Sequence, residues 1–179
     1  LISYALKISP IINFACNKLC MDKFNTLYNA YFLLVFSNYI AASFLSLYIY
    51  SLQYSKDLIG IINSILALQS FFGIILSFIY RVFDHRKTFL LILIILQCFS
   101  WILILQPIQL NFYLHAILRA ISIGGISILI AYYVFSYAKE KERIYVSNNL
   151  TFIFSIAFIL SSFLGSLIIC YSSWQAIFL

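Results

Sequence analysis

One arginine stands where charge is expensive. Arg119 sits about eight residues into an apolar run reaching from near Asn111 to Tyr137, with His115 one turn before it and Ser122 three residues after. At 1.5 Å per residue that is roughly 12 Å along a helix. A charge at such depth in a bilayer costs at least ~2.5 kcal/mol on insertion scales, so it faces protein or water and seeks a partner. Two readings stay open. Arg119 snorkels to the outer interface, or it faces a cavity with His115 and Ser122 as an anion-attracting or coupling residue.

Other polar side chains fall at helical spacing within apolar runs. Asn63, Ala67, Ser70 and Ser77 lie at i, i+4, i+7 and i+14, and Asn148, Thr151, Ser155 and Ser162 at i, i+3, i+7 and i+14. Asn38 and Ala42 are joined by Ser46. Serines and threonines at such places serve close packing or bond their own backbone. Amides are costlier to hide, so Asn38 and Asn63 are read as cavity-facing, while Asn148 and Asn149 are either cavity-facing or interfacial. The run from Thr88 to Leu105 offers only Gln97 and Ser100, which places it outside, against lipid.

Enzymatic chemistry finds no support in the motifs. The sequence has no Gly-x-Ser-x-Gly elbow, no His-Glu-x-x-His and no glycine-rich phosphate loop. Cys16 and Cys20 form a Cys-x3-Cys pair with no second ligand pair to complete a zinc site, and Cys98 and Cys170 are read as packing residues. No metal and no cofactor are expected. All five acids (Asp22, Asp57, Asp84, Glu140, Glu142) lie outside the apolar runs. A proton-coupled mechanism would need a carboxylate from elsewhere, or His115 in its place.

The elements that hold these residues follow from composition. Of 179 residues, 64% are hydrophobic and 9% charged, with a mean hydropathy of +1.04; soluble domains carry about 25% charged residues. Sixteen charged side chains cannot cover a water-facing surface of this size. A soluble enzyme, a secreted disulfide scaffold and a disordered tail are excluded. Runs of about 20 apolar residues suffice to span a bilayer as helices. They are read at about 27–50, 58–80, 88–105, 111–137 and 146–171, with a sixth starting at Trp174. Each is too long for a barrel strand. The fold class is all-α, a polytopic transmembrane helical bundle over 27–179 preceded by a segment over 1–26.

The net charge of +6 is arranged for a membrane, not for nucleic acid. One side receives Lys7, Lys18, Lys23, Arg81, Arg86, Lys87, Lys139, Lys141 and Arg143, and the other only Lys56. That asymmetry puts the N-terminus and the 81–87 and 139–143 loops in the cytoplasm, in a cell (inner) membrane. Beginning at Leu1 and ending six residues into a new apolar run, the sequence reads as a fragment. The only methionine, Met21, either marks the true start, or residues before it belong to an amphipathic cytoplasmic segment.

The loops and spans resemble the N-terminal half of the major facilitator superfamily. Its loop between helices two and three reads Gly-x-x-x-Asp-Arg-x-Gly-Arg-Arg/Lys. Residues 77–87 match it at Arg86 and Lys87, with Arg81 at the aspartate position, Val82 at the arginine and Asp84 at the second glycine. The fourth span is similar to Arg-x-x-Gln-Gly-x-Gly at Arg119 and Gly125, with Ser122 and Ile123 between them, and Glu142-Arg143 matches the loop that follows. In the fifth span Ala157, Ser161, Ser162, Gly165 and Ser166 stand where antiporter members have Gly-x-x-x-Gly-Pro-x-x-Gly-Gly, and residues 173–179 resemble Gly-Trp-Arg-Trp-Ile-Phe-Leu.

The resemblance implies a secondary carrier with alternating access and a midplane substrate site between two six-helix halves. Helices one, two, four and five would line the cavity, with Arg119, His115, Asn38, Asn63 and Ser122 facing substrate or coupling ion. Arg81, Asp84, Arg86 and Lys87 would form the cytoplasmic latch, and Gly125, Ser161, Ser162 and Gly165 the helix-packing surface. The implied partners are a small-molecule substrate, a coupling proton or ion, the lipid bilayer and a missing C-terminal half. Efflux of a drug-like compound or metabolite is mildly preferred. The rival is a non-transporting membrane scaffold or a decayed gene fragment.

Overall fold

The computed structural model describes residues 24–82 and 86–171, and for 81, 82, 86 and 87 only the helical backbone. Five long helical stretches follow one another, and no strand occurs among the described residues. The first, α1, covers Phe24–Ser51. A turn at 43–44 separates its last stretch, Leu45–Ser51. There the Ser43 hydroxyl donates to the Tyr39 carbonyl at 3.0 Å, the local back-bonding by which serine bends helices. Beyond α1, Gln53 adopts φ 63°, the left-handed conformation that turns the chain after a helix end.

The second span, α2, runs over Lys56–Ala67 and resumes as Gln69–Val82. Ser55 caps it by accepting from the Leu58 amide at 3.3 Å, with Asp57 in the first turn. The break at Leu68, which the unbroken apolar run did not predict, immediately precedes Gln69, whose main chain meets Gly124 of the fourth helix. Next come α3, Arg86–Ile104, α4, Gln109–Tyr137, and α5, Glu140–Tyr171. The charged 139–143 segment, read as a loop, is mostly the first turn of α5. The Glu142 carboxylate reaches back to the Lys139 amide at 3.0 Å, as in a capping box.

Four of the spans, of 25 to 32 residues, are long and apolar enough to cross a membrane, and Thr88–Ile104 is a shorter apolar helix. The outer surface is unfit for water: Phe78, Phe152 and Ile144 are 64%, 66% and 72% exposed among many such side chains. Cys98 and Cys170, read as packing residues, are exposed on that surface. Cys16, Cys20 and Met21 lie outside the described residues.

Helix α4 is the hub, packing against α2, α3 and α5. One apolar cluster joins the end of α1, the starts of α2 and α4 and the end of α3, around Ile49, Ile62, Ile104 and Phe112. A second, at the opposite end, joins the start of α1 to the end of α4 and the start of α5 through Phe24, Val134 and Val146. A third sets Phe89 and Leu93 of α3 against Ile126. Between these apolar clusters lie the buried polar side chains.

Candidate functional site

Helices α1, α3 and α4 each contribute to one polar cluster. The burial of Arg119 and His115 at one-turn spacing on α4 follows from their neighbours, since Phe112, Ala116, Ala120 and Ser122 are buried on the same flank. From α1, Asn38 enters the cluster between buried Val35 and Ala41. On α3 the inward face is Phe89, Leu93, Ser100 and Ile104, and half-buried Gln97 shares its register.

The hydrogen bonds run in one consistent direction. Arg119 Nε donates to Asn38 Oδ1 at 3.3 Å, and Gln97 Nε2 donates to the same oxygen at 2.8 Å. The Gln97 side-chain oxygen, Oε1, accepts from the Ser122 hydroxyl. That hydroxyl also lies 3.0 Å from the Arg119 carbonyl, so its single proton serves two acceptors. Because a guanidinium has no acceptor, it requires the oxygen of Asn38 to face it, and this fixes both amides.

Arg119 has no carboxylate partner among the described residues. It is 6% exposed, and its charge is met by the Asn38 oxygen and the face of Trp101, whose ring centroid is 5.1 Å from Cζ. Trp101 also lies 4.7 Å from the ring of His115. His115 Nδ1 bonds the Ser100 carbonyl at 2.8 Å, while Nε2 is buried with no partner among the described residues. A charge held by neutral oxygens and an aromatic face is not a nucleophile–base pair. It can attract an anion, or exchange partners when the helices move.

Not every expected residue joins this cluster. Arg119, His115, Asn38 and Ser122 do. Asn63 does not: with Ala67 and Ser70 it is exposed on α2. Asp84 lies outside the described residues, as do the side chains of Arg81, Arg86 and Lys87. Gly125 is buried where a Cβ would meet Leu93 Cδ1 at 2.7 Å and Leu76 Cδ1 at 2.9 Å. On α5, Gly165 faces the Ile40 carbonyl of α1, Ser162 lies 3.2 Å from Ser43, and buried Ser161 donates to the Phe158 carbonyl of its own helix at 2.8 Å.

The placement of α3 outside, against lipid, is corrected. One face is lipid-ready, with Leu91 and Ile95 exposed, but the other carries Gln97, Ser100 and Trp101 into the Arg119 cluster. The signal was present: residues 89, 93, 97, 100 and 104 keep the spacing of one helical face. Among the described residues no group of three or more His, Cys, Asp and Glu could hold a metal ion.

Neither curated proteins nor solved structures supply a match to the chain. The model of the Major Facilitator Superfamily, however, matches residues 27–179, which takes in all five helices almost whole. A multi-pass helical bundle with α4 at its centre accords with that match, and the chain belongs to the major facilitator superfamily, a family of membrane transporters.

Proposed function

We propose that the chain is the N-terminal half of a secondary active transporter that moves a small solute across the inner membrane by alternating access. Its N-terminus is cytoplasmic, and efflux of a drug-like compound or metabolite is the favoured direction. The observation that carries this reading is the buried guanidinium of Arg119, held across α1, α3 and α4 without a carboxylate among the described residues. A charge so placed gains free energy in any conformation that brings it an anion or water, so it biases helix movement toward such a state. His115 and Ser122 move with it on α4. Asn38 and Gln97 couple that movement to α1 and α3.

The exposed edge of α2 supports a second half. Asn63 in lipid would leave an amide unsatisfied, whereas a facing helix bundle or a wet cavity between halves satisfies it. A coupling proton or ion would act at the Arg119 cluster. The test is Arg119→Ala in the native polypeptide. Solute movement is lost while membrane abundance is unchanged; normal movement by the variant would retire the assignment.

A further inference from the structure

A second polar site lies toward the other end of α4. A cleft of about 430 Å³ opens between α1, α4 and α5, within the range of ~300–1,000 Å³ usual for small-molecule pockets. Its charged residue is Arg143, at the start of α5. Two of the guanidinium's nitrogens are committed: Nη2 donates to the Phe135 carbonyl at 2.9 Å and Nε to the Ala138 carbonyl at 3.3 Å. These bonds fasten the cation to the C-terminal end of α4, where unpaired carbonyls and the helix dipole favour it. Its Cζ also lies 5.1 Å from the centre of the Phe135 ring. The remaining nitrogen, Nη1, has no partner among the described residues, so the group is positioned and still has donors to give.

The rest of the lining completes a recognition surface. Ser127 and Thr151 spend their hydroxyl protons on the carbonyls of Ile123 and Ser147, at 2.9 and 3.1 Å, which leaves only acceptor capacity toward the cleft. Tyr31 and Ser147 also line it, and no hydrogen bond engages their hydroxyls among the described residues. Val134, Leu150 and Phe154 supply apolar wall, and no acid is in the lining. Glu142 is beside Arg143 in sequence, but its carboxylate turns to the Lys139 amide. One fixed cation, free hydroxyls and an apolar wall suit a solute with an anionic head and an apolar body.

We propose that this cleft binds an organic anion, its acidic group on Arg143 and its hydrocarbon body between α1 and α5. This rests on the carrier reading above and adds to it the charge class of the solute and a station along α4 whose near edge, Ser127, is about 12 Å from Arg119 and whose cation, bonded at Phe135, is about 24 Å from it. It also assigns Arg143 a binding role separate from the buried cluster.

The test is equilibrium dialysis of labelled 2-naphthoate, and of its neutral isostere 2-naphthamide, against the purified native polypeptide in phosphatidylcholine nanodiscs. The naphthoate is expected to bind at least about tenfold tighter, the size of one charge-assisted hydrogen bond. Arg143→Gln should remove that preference and leave naphthamide binding in place, which shows that the variant is folded. Tyr31→Phe with Ser147→Ala, which leave the cap on α4 intact, should weaken both probes. Equal binding of the two probes, no binding of naphthoate, or an undiminished preference in Arg143→Gln would overturn the proposal. Because the assay needs no transport, such a failure is distinct from failure of the carrier reading, which shows as absence of solute movement.

Discussion

Gly124 on α4 and Gln69 on α2 meet main chain to main chain: a Cβ on Gly124 would overlap the Gln69 carbonyl oxygen and lie 2.8 Å from the Gly73 nitrogen. Such closeness is available only to glycine, and backbone cannot yield as a side-chain tip does. Gly124→Ala is therefore expected to destabilise the bundle by ~1–3 kcal/mol, the usual cost of overpacking. It should read as a lower melting temperature of the purified protein. Gly60 has nothing within 4 Å of its notional Cβ, so Gly60→Ala should be neutral or stabilising by up to ~1 kcal/mol. Equal losses for the two would contradict this account of the crossing.

Asn38 places a neutral oxygen 3.3 Å from Arg119 Nε. Asn38→Asp would put a carboxylate there, still able to accept from Gln97. The expected outcome is a more stable protein, by ~1–3 kcal/mol, that transports poorly, since the charge no longer gains from changing partners. Thermal melting and a solute flux assay on one preparation check it. Lower stability with normal flux would contradict it.

Gln97 links α3 to both α1 and α4. Gln97→Leu keeps bulk and removes two hydrogen bonds, so a loss of ~1–3 kcal/mol is expected from the polar atoms left behind. Were α3 simply a lipid-facing helix, leucine would be harmless or helpful. The melting temperature distinguishes the two.

Tyr54 serves as a control remote from the cluster. Its hydroxyl donates to the Pro107 carbonyl at 2.6 Å and ties the α1–α2 turn to the α3–α4 turn. Tyr54→Phe should cost ~0.5–1.5 kcal/mol and leave solute flux at its normal level once corrected for abundance. A selective loss of flux would show that this end of the bundle takes part in transport.

Arg119 was legible because a single charge within an apolar run must be either buried with help or drawn to the interface, and sequence depth frames that choice. Asn38 was legible for a similar reason. Gln97 was not, since one amide in a run of leucine and isoleucine resembles lipid-facing sequence until its register with Leu93 and Ser100 is counted. Asn63 shows the opposite limit. Helical spacing groups it with Ala67 and Ser70 but cannot say which way that edge turns, because lipid and protein interior are equally apolar. The breaks at 43–44 and Leu68 were hidden too: neither has proline or glycine at the bend, and the back-bonding of Ser43 to the Tyr39 carbonyl looks in sequence like any other serine in an apolar run. The charged stretch 139–143 looked like loop because charge marks the membrane boundary whether or not the helix has already begun.

The proposed transport of a solute depends on the Arg119 cluster. The most direct measurement is flux of labelled organic solutes, in both directions, in cells producing the native polypeptide or its Arg119→Ala form at matched membrane abundance. The expected result is protein-dependent flux of at least one solute that Arg119→Ala abolishes. Flux by the variant equal to the parent's, or no protein-dependent flux of any solute in either direction, would contradict it.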